Sequence, residues 1–142
     1  MIRTLEISDY ACLMEIWESA VLNTHNFLTK EDFLFYKKML PTYFQYVNLF
    51  GYEQDNVIIG FIGVSEDNLE MLFIDNKHRG SGVGKALISY AIEKLHITKV
   101  DVNEQNTQAV GFYKNIGFEV YDRSEFDAEG KEYPILHMRL KQ

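Results

Sequence analysis

The chain has 142 residues, which fits a single domain of common size and leaves no room for a second catalytic one. With 46% apolar residues, 14% aromatic residues and two prolines it can bury a core, which excludes a disordered, collagen-like or low-complexity chain. Fourteen Lys and Arg against 21 Asp and Glu give a net charge of −7, which disfavours nucleic acid and anionic membranes as partners and favours a cationic substrate.

The single cysteine, Cys12, excludes an internal disulfide and a cysteine cluster for zinc. Met1 to Asp9 carries Arg3, Glu6 and Asp9 and lacks the apolar run of a signal peptide. The longest apolar tract, Val57 to Val64, is interrupted by Gly60 and Gly63 and is too short to span a bilayer. The expected location is the cytoplasm, with no membrane partner.

In chain order, Ile2 to Ile7 reads as a strand, and Ser8 is placed to cap a helix whose apolar residues Leu13, Ile16, Trp17, Ala20 and Val21 follow the 3.6-residue period. That helix is expected to end near Leu22. Thr29 followed by Asp32 predicts a second helix, with a bend or restart at Pro41. Val47 to Tyr52, Val57 to Ser65 and Leu69 to Ile74 read as three strands of an antiparallel meander, the middle one locally weakened by Gly60 and Gly63. A helix from Gly82 through Leu95 and a strand from Lys99 to Val102 follow. A helix from Asn106 to Asn115 precedes a hairpin of Glu119 to Phe126 and Tyr133 to Leu140 across Asp127 to Gly130. The order predicts a mixed α+β domain, residues 1–142, on one sheet.

The strongest chemical signal is Arg79-Gly80-Ser81-Gly82-Val83-Gly84 between a predicted strand and a predicted helix. Its glycines let the backbone approach a ligand, and free N–H groups at a helix start favour an anion. Lys77, His78, Arg79 and Lys85 gather positive charge there in an otherwise acidic chain. A P-loop needs one more residue before its Gly-Lys pair and a hydroxyl after it, where this chain has Ala86. A dinucleotide fingerprint fails at Lys85, although Asp101 stands at about the right distance to hold a ribose, and the repeated parallel units of that fold are missing.

The run Arg79-x-x-Gly82-x-Gly84, preceded by Leu69 to Asp75, resembles the acetyl-CoA loop of the GNAT N-acetyltransferase superfamily. Asn106, Ala109, Phe112, Tyr113, Gly117 and Phe118 are similar to that family's downstream pattern. At finer grain Thr24-His25-Asn26-Phe27-Leu28, Asn103-Glu104-Gln105-Asn106 and Tyr133-Pro134 resemble a small bacterial subgroup of peptidyl-lysine N-acetyltransferases. The resemblance implies a mostly antiparallel central sheet flanked by helices and acetyl-CoA as cosubstrate without a metal. It also implies direct attack by a primary amine, with no covalent acyl-enzyme. Cys12, within the first predicted helix, and the lack of any evident Ser-His-Asp arrangement agree with that.

By the same resemblance the cofactor would be held by Arg79, Gly80, Ser81, Gly82, Val83, Gly84 and Lys85, by backbone groups of Phe73 and Ile74, and by Asn106 and Tyr113. Tyr113 would protonate the departing thiolate. Phenol and thiol pKa values differ by only about 1.5 units, so that transfer is nearly balanced. Glu70 is the candidate general base, since strand alternation puts it on one face with Leu72 and Ile74. His25 is the rival base or a substrate contact, with Phe27 beside it. Phe35, Tyr36, Tyr43, Phe44 and Tyr46 are further candidates to line an acceptor groove. The acceptor stays open between a protein lysine, a polyamine and an amino sugar; a non-catalytic acyl-CoA sensor and a monomer or homodimer are also compatible.

Overall fold

The structure of the protein, a computed structural model, describes residues 1–141. Its first elements are β1 (Ile2–Thr4), α1 (Tyr10–Thr24), α2 (Lys30–Phe44), β2 (Asn48–Gln54), β3 (Val57–Ser65) and β4 (Asn68–Ile74). They are followed by α3 (Val83–Glu93), β5 (Lys99–Asn103), α4 (Thr107–Ile116), β6 (Phe118–Ser124) and β7 (Ile135–Leu140). The strands form one sheet in the order β1-β2-β3-β4-β5-β7-β6, antiparallel except where β4 meets β5. No helix among the described residues is long and apolar enough to cross a membrane.

Helices cover both faces. Leu13, Ile16, Trp17, Leu40 and Phe44 of α1 and α2 pack with Leu49, Ile58 and Phe61 on one side, and Val83, Leu87, Ile88 and Tyr113 pack with Ile62, Val100 and Met138 on the other. A methyl group at Gly60 would stand 2.8 Å from Ile74 Cδ1 and 3.1 Å from Val83 Cγ1. This glycine therefore lets α3 close on the sheet instead of weakening the strand.

Several local expectations are corrected. The first strand stops at Thr4 and a 3-10 turn, Ile7–Asp9, intervenes; Asp9, not Ser8, is the N-cap of α1, and its carboxylate closes the 3-10 turn by accepting from the Glu6 N–H at 2.8 Å instead of capping the helix. Helix α2 runs through Pro41 as one element, because Pro41 lies in the last turns, where the missing N–H costs one bond near an already fraying end. Helix α3 ends at Glu93, before Leu95.

The tight turn at Asp127–Gly130 forms, with Gly130 at φ +78°, but β6 ends at Ser124 and β7 begins at Ile135. Residues 125–134 instead fold back on α2. Tyr36 donates to Asp127, Tyr43 to Glu129 at 2.7 Å, and Tyr133 to Asp32. Lys131 pairs with Asp32 at 2.9 Å and lies 4.5 Å from the centre of the Phe35 ring.

Candidate active site

The pairing of β4 with β5 lasts two residues, Asn68 with Lys99 and Leu69 with Val100. Beyond them the strands part, and the β4 edge from Glu70 to Ile74 has no β5 partner for its backbone groups. A cavity of about 1190 Å³ opens at this fork. It reaches from the glycine loop and α3 on one side of the sheet to α1, α2 and the 125–134 connection on the other.

At one end stand His78, Arg79, Gly80, Gly82, Gly84 and Lys85. Gly80 and Gly82 have φ of +76° and +89°, a conformation that carries a steric penalty for any side chain. Gly82 is the N-cap of α3 and has no side chain to cap it, so the first N–H groups of the helix face outward with the positive end of its dipole. Arg79 is held by Asn76 Oδ1 at 3.3 Å and by Gln108 of α4. Ser81 and Val83 do not line the cavity: the Ser81 hydroxyl donates back to the His78 carbonyl, and Val83 is buried in the core. Gln108 is marked in the sequence only by its nearness to Asn106, and its role beside Arg79 emerges from the fold.

In the middle, Leu72, Phe73, Ile74, Asn106, Phe112 and Tyr113 line the walls. Asn106 is the N-cap of α4, its Oδ1 accepting from the Ala109 N–H at 3.3 Å, which leaves its amide donors for the cavity. Tyr113 is 6% exposed. Its hydroxyl has no protein partner among the described residues, yet no buried polar side-chain atom is left unpaired, so the hydroxyl retains access to the cavity. Burial pushes the phenol pKa well above its ordinary value.

At the far end lie Glu70, Asp101, Asp127 and Glu129, with Thr24, His25, Tyr36, Tyr43 and Tyr46. Glu70 does not share a face with Leu72 and Ile74. Across β3, Gly63 pairs with Met71 and Val64 with Leu69, so Glu70 is the extra residue of a β-bulge and the alternation slips there. Leu69, Leu72 and Ile74 face α3, Met71 and Phe73 face α1, and Glu70 sits beside Asn68 and Asp101. Its carboxylate is exposed to the cleft but loses hydration to the surrounding protein, which raises its pKa.

His25 is driven the other way: burial lowers its pKa to about 4. Thr24 Oγ1 donates to the Ala20 carbonyl at 2.7 Å and lies 2.7 Å from His25 Nδ1, so the ring donates from Nδ1 and keeps Nε2 as an acceptor. Phe27, Phe35 and Phe44 do not line the cavity. Phe27 packs on His25 and Tyr133, Phe35 on Tyr36 and Lys131, and Phe44 is 1% exposed in the core. Cys12 is likewise outside it, with its thiol 3.9 Å from the Ile58 carbonyl and its pKa raised by burial.

The expectation that the chain holds no Ser-His-Asp arrangement is corrected: one forms across three strands, with no counterpart among the sequence motifs. His137 of β7 lies with Nδ1 2.6 Å from Asp101 Oδ1 and Nε2 2.7 Å from Ser124 Oγ, and all three line the cavity. Asp101 and Ser124 are 36 and 13 positions from His137, and the only sequence trace is a polar residue at alternate positions of apolar strands.

The profile of the acetyltransferase (GNAT) domain matches residues 22–141. Peptidyl-lysine N-acetyltransferase YjaB of Salmonella typhimurium is 38% identical over 127 residues, covering 89% of this chain and 88% of the relative. The solution structure of apo YjaB from Escherichia coli superposes with a TM-score of 0.84 at 36% identity, covering 98% and 95% of the two chains. PaiA N-acetyltransferase of Thermoplasma acidophilum in complex with coenzyme A shares the fold at 22% identity, TM-score 0.72 and 98% coverage of both chains. This chain belongs to the GNAT acetyltransferase family and is an acetyl-CoA-dependent N-acetyltransferase.

Proposed function

We propose that the acceptor is the side-chain amine of a lysine in a protein. The observation that carries this reading is the polarity of the cavity, basic at the glycine loop and lined by four carboxylates, Glu70, Asp101, Asp127 and Glu129, at the opposite end. An ammonium group on a long apolar stem suits the second end, where Tyr36, Tyr43 and Tyr46 flank the charges. The YjaB relatives carry the name peptidyl-lysine N-acetyltransferase, which supports the same acceptor.

In this reading the N–H groups at the start of α3, with Arg79 and Lys85, hold the pyrophosphate, and Gly80 to Gly84 give it close approach to the backbone. The unpaired β4 edge at Phe73 and Ile74 offers hydrogen bonds to the pantetheine arm, with Asn106 opposite. Acetyl-CoA, when bound, supplies an acyl thioester open to attack. Glu70 is the catalytic carboxylate that receives the acceptor ammonium, and His25 offers it a neutral acceptor at Nε2. Tyr113 donates to the departing sulfur. Its raised pKa keeps the phenol protonated and makes it a hydrogen-bond donor to developing thiolate more than a donor of a whole proton.

A lysine amine of ordinary pKa near 10.4 costs roughly 4.6 kcal/mol to deprotonate at pH 7, so the acceptor end must supply a base. The test is release of CoA thiol with acetyl-CoA and three acceptors: a blocked lysine peptide, spermidine and glucosamine. The lysine peptide is expected to lead in kcat/KM by about tenfold or more, and Glu70→Gln to lower that value about tenfold with CoA affinity unchanged. A lead for either small amine overturns the lysine assignment.

A further inference from the structure

Resting on the amine-transfer reading, we propose that Ser124, His137 and Asp101 form a proton relay that takes the proton from the acceptor ammonium. The bonds to Asp101 have their direction fixed by an acceptor-only carboxylate, and the bond between Ser124 and His137 takes its direction from a neutral imidazole. Asn68 Nδ2 donates to Asp101 Oδ2 at 3.1 Å, and Asp101 Oδ1 takes the Nδ1–H of His137 at 2.6 Å. With Nδ1 carrying the proton, Nε2 is the lone-pair nitrogen, and Ser124 Oγ donates to it at 2.7 Å. Three strands supply the three residues, Asp101 from β5, Ser124 from β6 and His137 from β7, and each reaches the cavity that Glu70 lines. An imidazole held by a carboxylate at one nitrogen and a hydroxyl at the other can take a proton and pass it on. Glu70, beside Asp101, then serves to hold the ammonium.

Atoms balance. The ammonium gives one proton to Ser124 Oγ as the serine proton passes to His137 Nε2, and Asp101 offsets the imidazolium charge. The freed nitrogen pair bonds to the thioester carbonyl carbon while the C–S bond breaks and its electrons leave on sulfur. The second proton lost by nitrogen balances the one gained by sulfur, so the products are an amide, CoA thiol and one proton returned to solvent from His137. The serine remains a conduit and never carries the acetyl group.

Two measurements test this. In the acetyl-CoA-free protein labelled with ¹⁵N-histidine, NMR is expected to show neutral His137 with its proton on Nδ1; a proton on Nε2 overturns the relay whatever the acceptor. Kinetics then compare whichever of the three acceptors is turned over fastest with its aminooxy analogue, which is already neutral at pH 7. His137→Gln and Ser124→Ala are expected to lose about 100-fold in kcat with the basic amine and little with the aminooxy compound. Equal losses with both, no loss with either, or an acetyl adduct on Ser124 by mass spectrometry overturns the proposal. If His137→Gln fails to melt cooperatively, Asp101→Asn, which keeps the shape but permits the other tautomer, is read in its place. Failure of the lysine reading shows separately, as a different acceptor leading in the wild type.

Discussion

Thr24 and His25 share a hydrogen bond of 2.7 Å whose direction is fixed by a third group, since Thr24 spends its only proton on the Ala20 carbonyl. Burial then disfavours the charged ring and lowers the imidazole pKa to about 4. An unfolded chain binds that proton near the ordinary value of about 6.5, so the unfolded state gains protons first as pH falls. The stability tied to His25 is complete above about pH 6.5 and is lost down to about pH 4. Between pH 6.5 and pH 5 the loss is roughly 2 kcal/mol. Urea midpoints at the two pH values should fall more for the wild type than for His25→Gln; equal falls would mean that His25 is protonated in the folded protein.

Gly82 carries both a left-handed backbone and the open N-terminus of α3. Gly82→Asp places a negative charge and a side chain where an anion approaches, and CoA affinity is expected to drop about 100-fold or more. A methyl group at this position would meet nothing within 4 Å, so Gly82→Ala carries the backbone strain without a clash or a charge and separates the two effects. Calorimetry with CoA, on variants that still melt cooperatively, reads the result; an unchanged dissociation constant for Gly82→Asp removes the loop from the pyrophosphate site.

Tyr113 presents its hydroxyl to the cavity without a protein partner among the described residues, while its ring packs edge-on to Phe112 and Phe118 at 5.4 and 5.8 Å. Tyr113→Phe keeps the ring contacts and is expected to change the melting temperature little. The same change should lower kcat about 10- to 1,000-fold with the acetyl-CoA KM nearly constant, because the donor matters as charge develops on sulfur. A thioester with a more acidic leaving thiol should recover part of the loss. A wild-type rate with chemistry limiting assigns that donor to water.

The features legible in the sequence act over a few neighbouring residues. Alternate glycines after Arg79 announce a left-handed turn into a helix because only glycine adopts that backbone without penalty. Asn106 announces a helix start because its side chain reaches the N–H three residues on. The 3.6-residue period of Leu13, Ile16, Trp17, Ala20 and Val21 marks the buried face of α1 because one face of a helix must leave water. What failed at the site depended on partners far along the chain. Glu70 changes face because the β3–β4 register slips by one residue, and alternation within a strand carries no record of its neighbour's register. Phe44 and Tyr43 are adjacent in sequence, but Phe44 meets Phe61 in the core while Tyr43 meets Glu129 across the cavity. Asp101, Ser124 and His137 become one hydrogen-bonded line only when β7 inserts between β5 and β6, since side chains that meet across strands are chosen by sheet order and not by spacing along the chain.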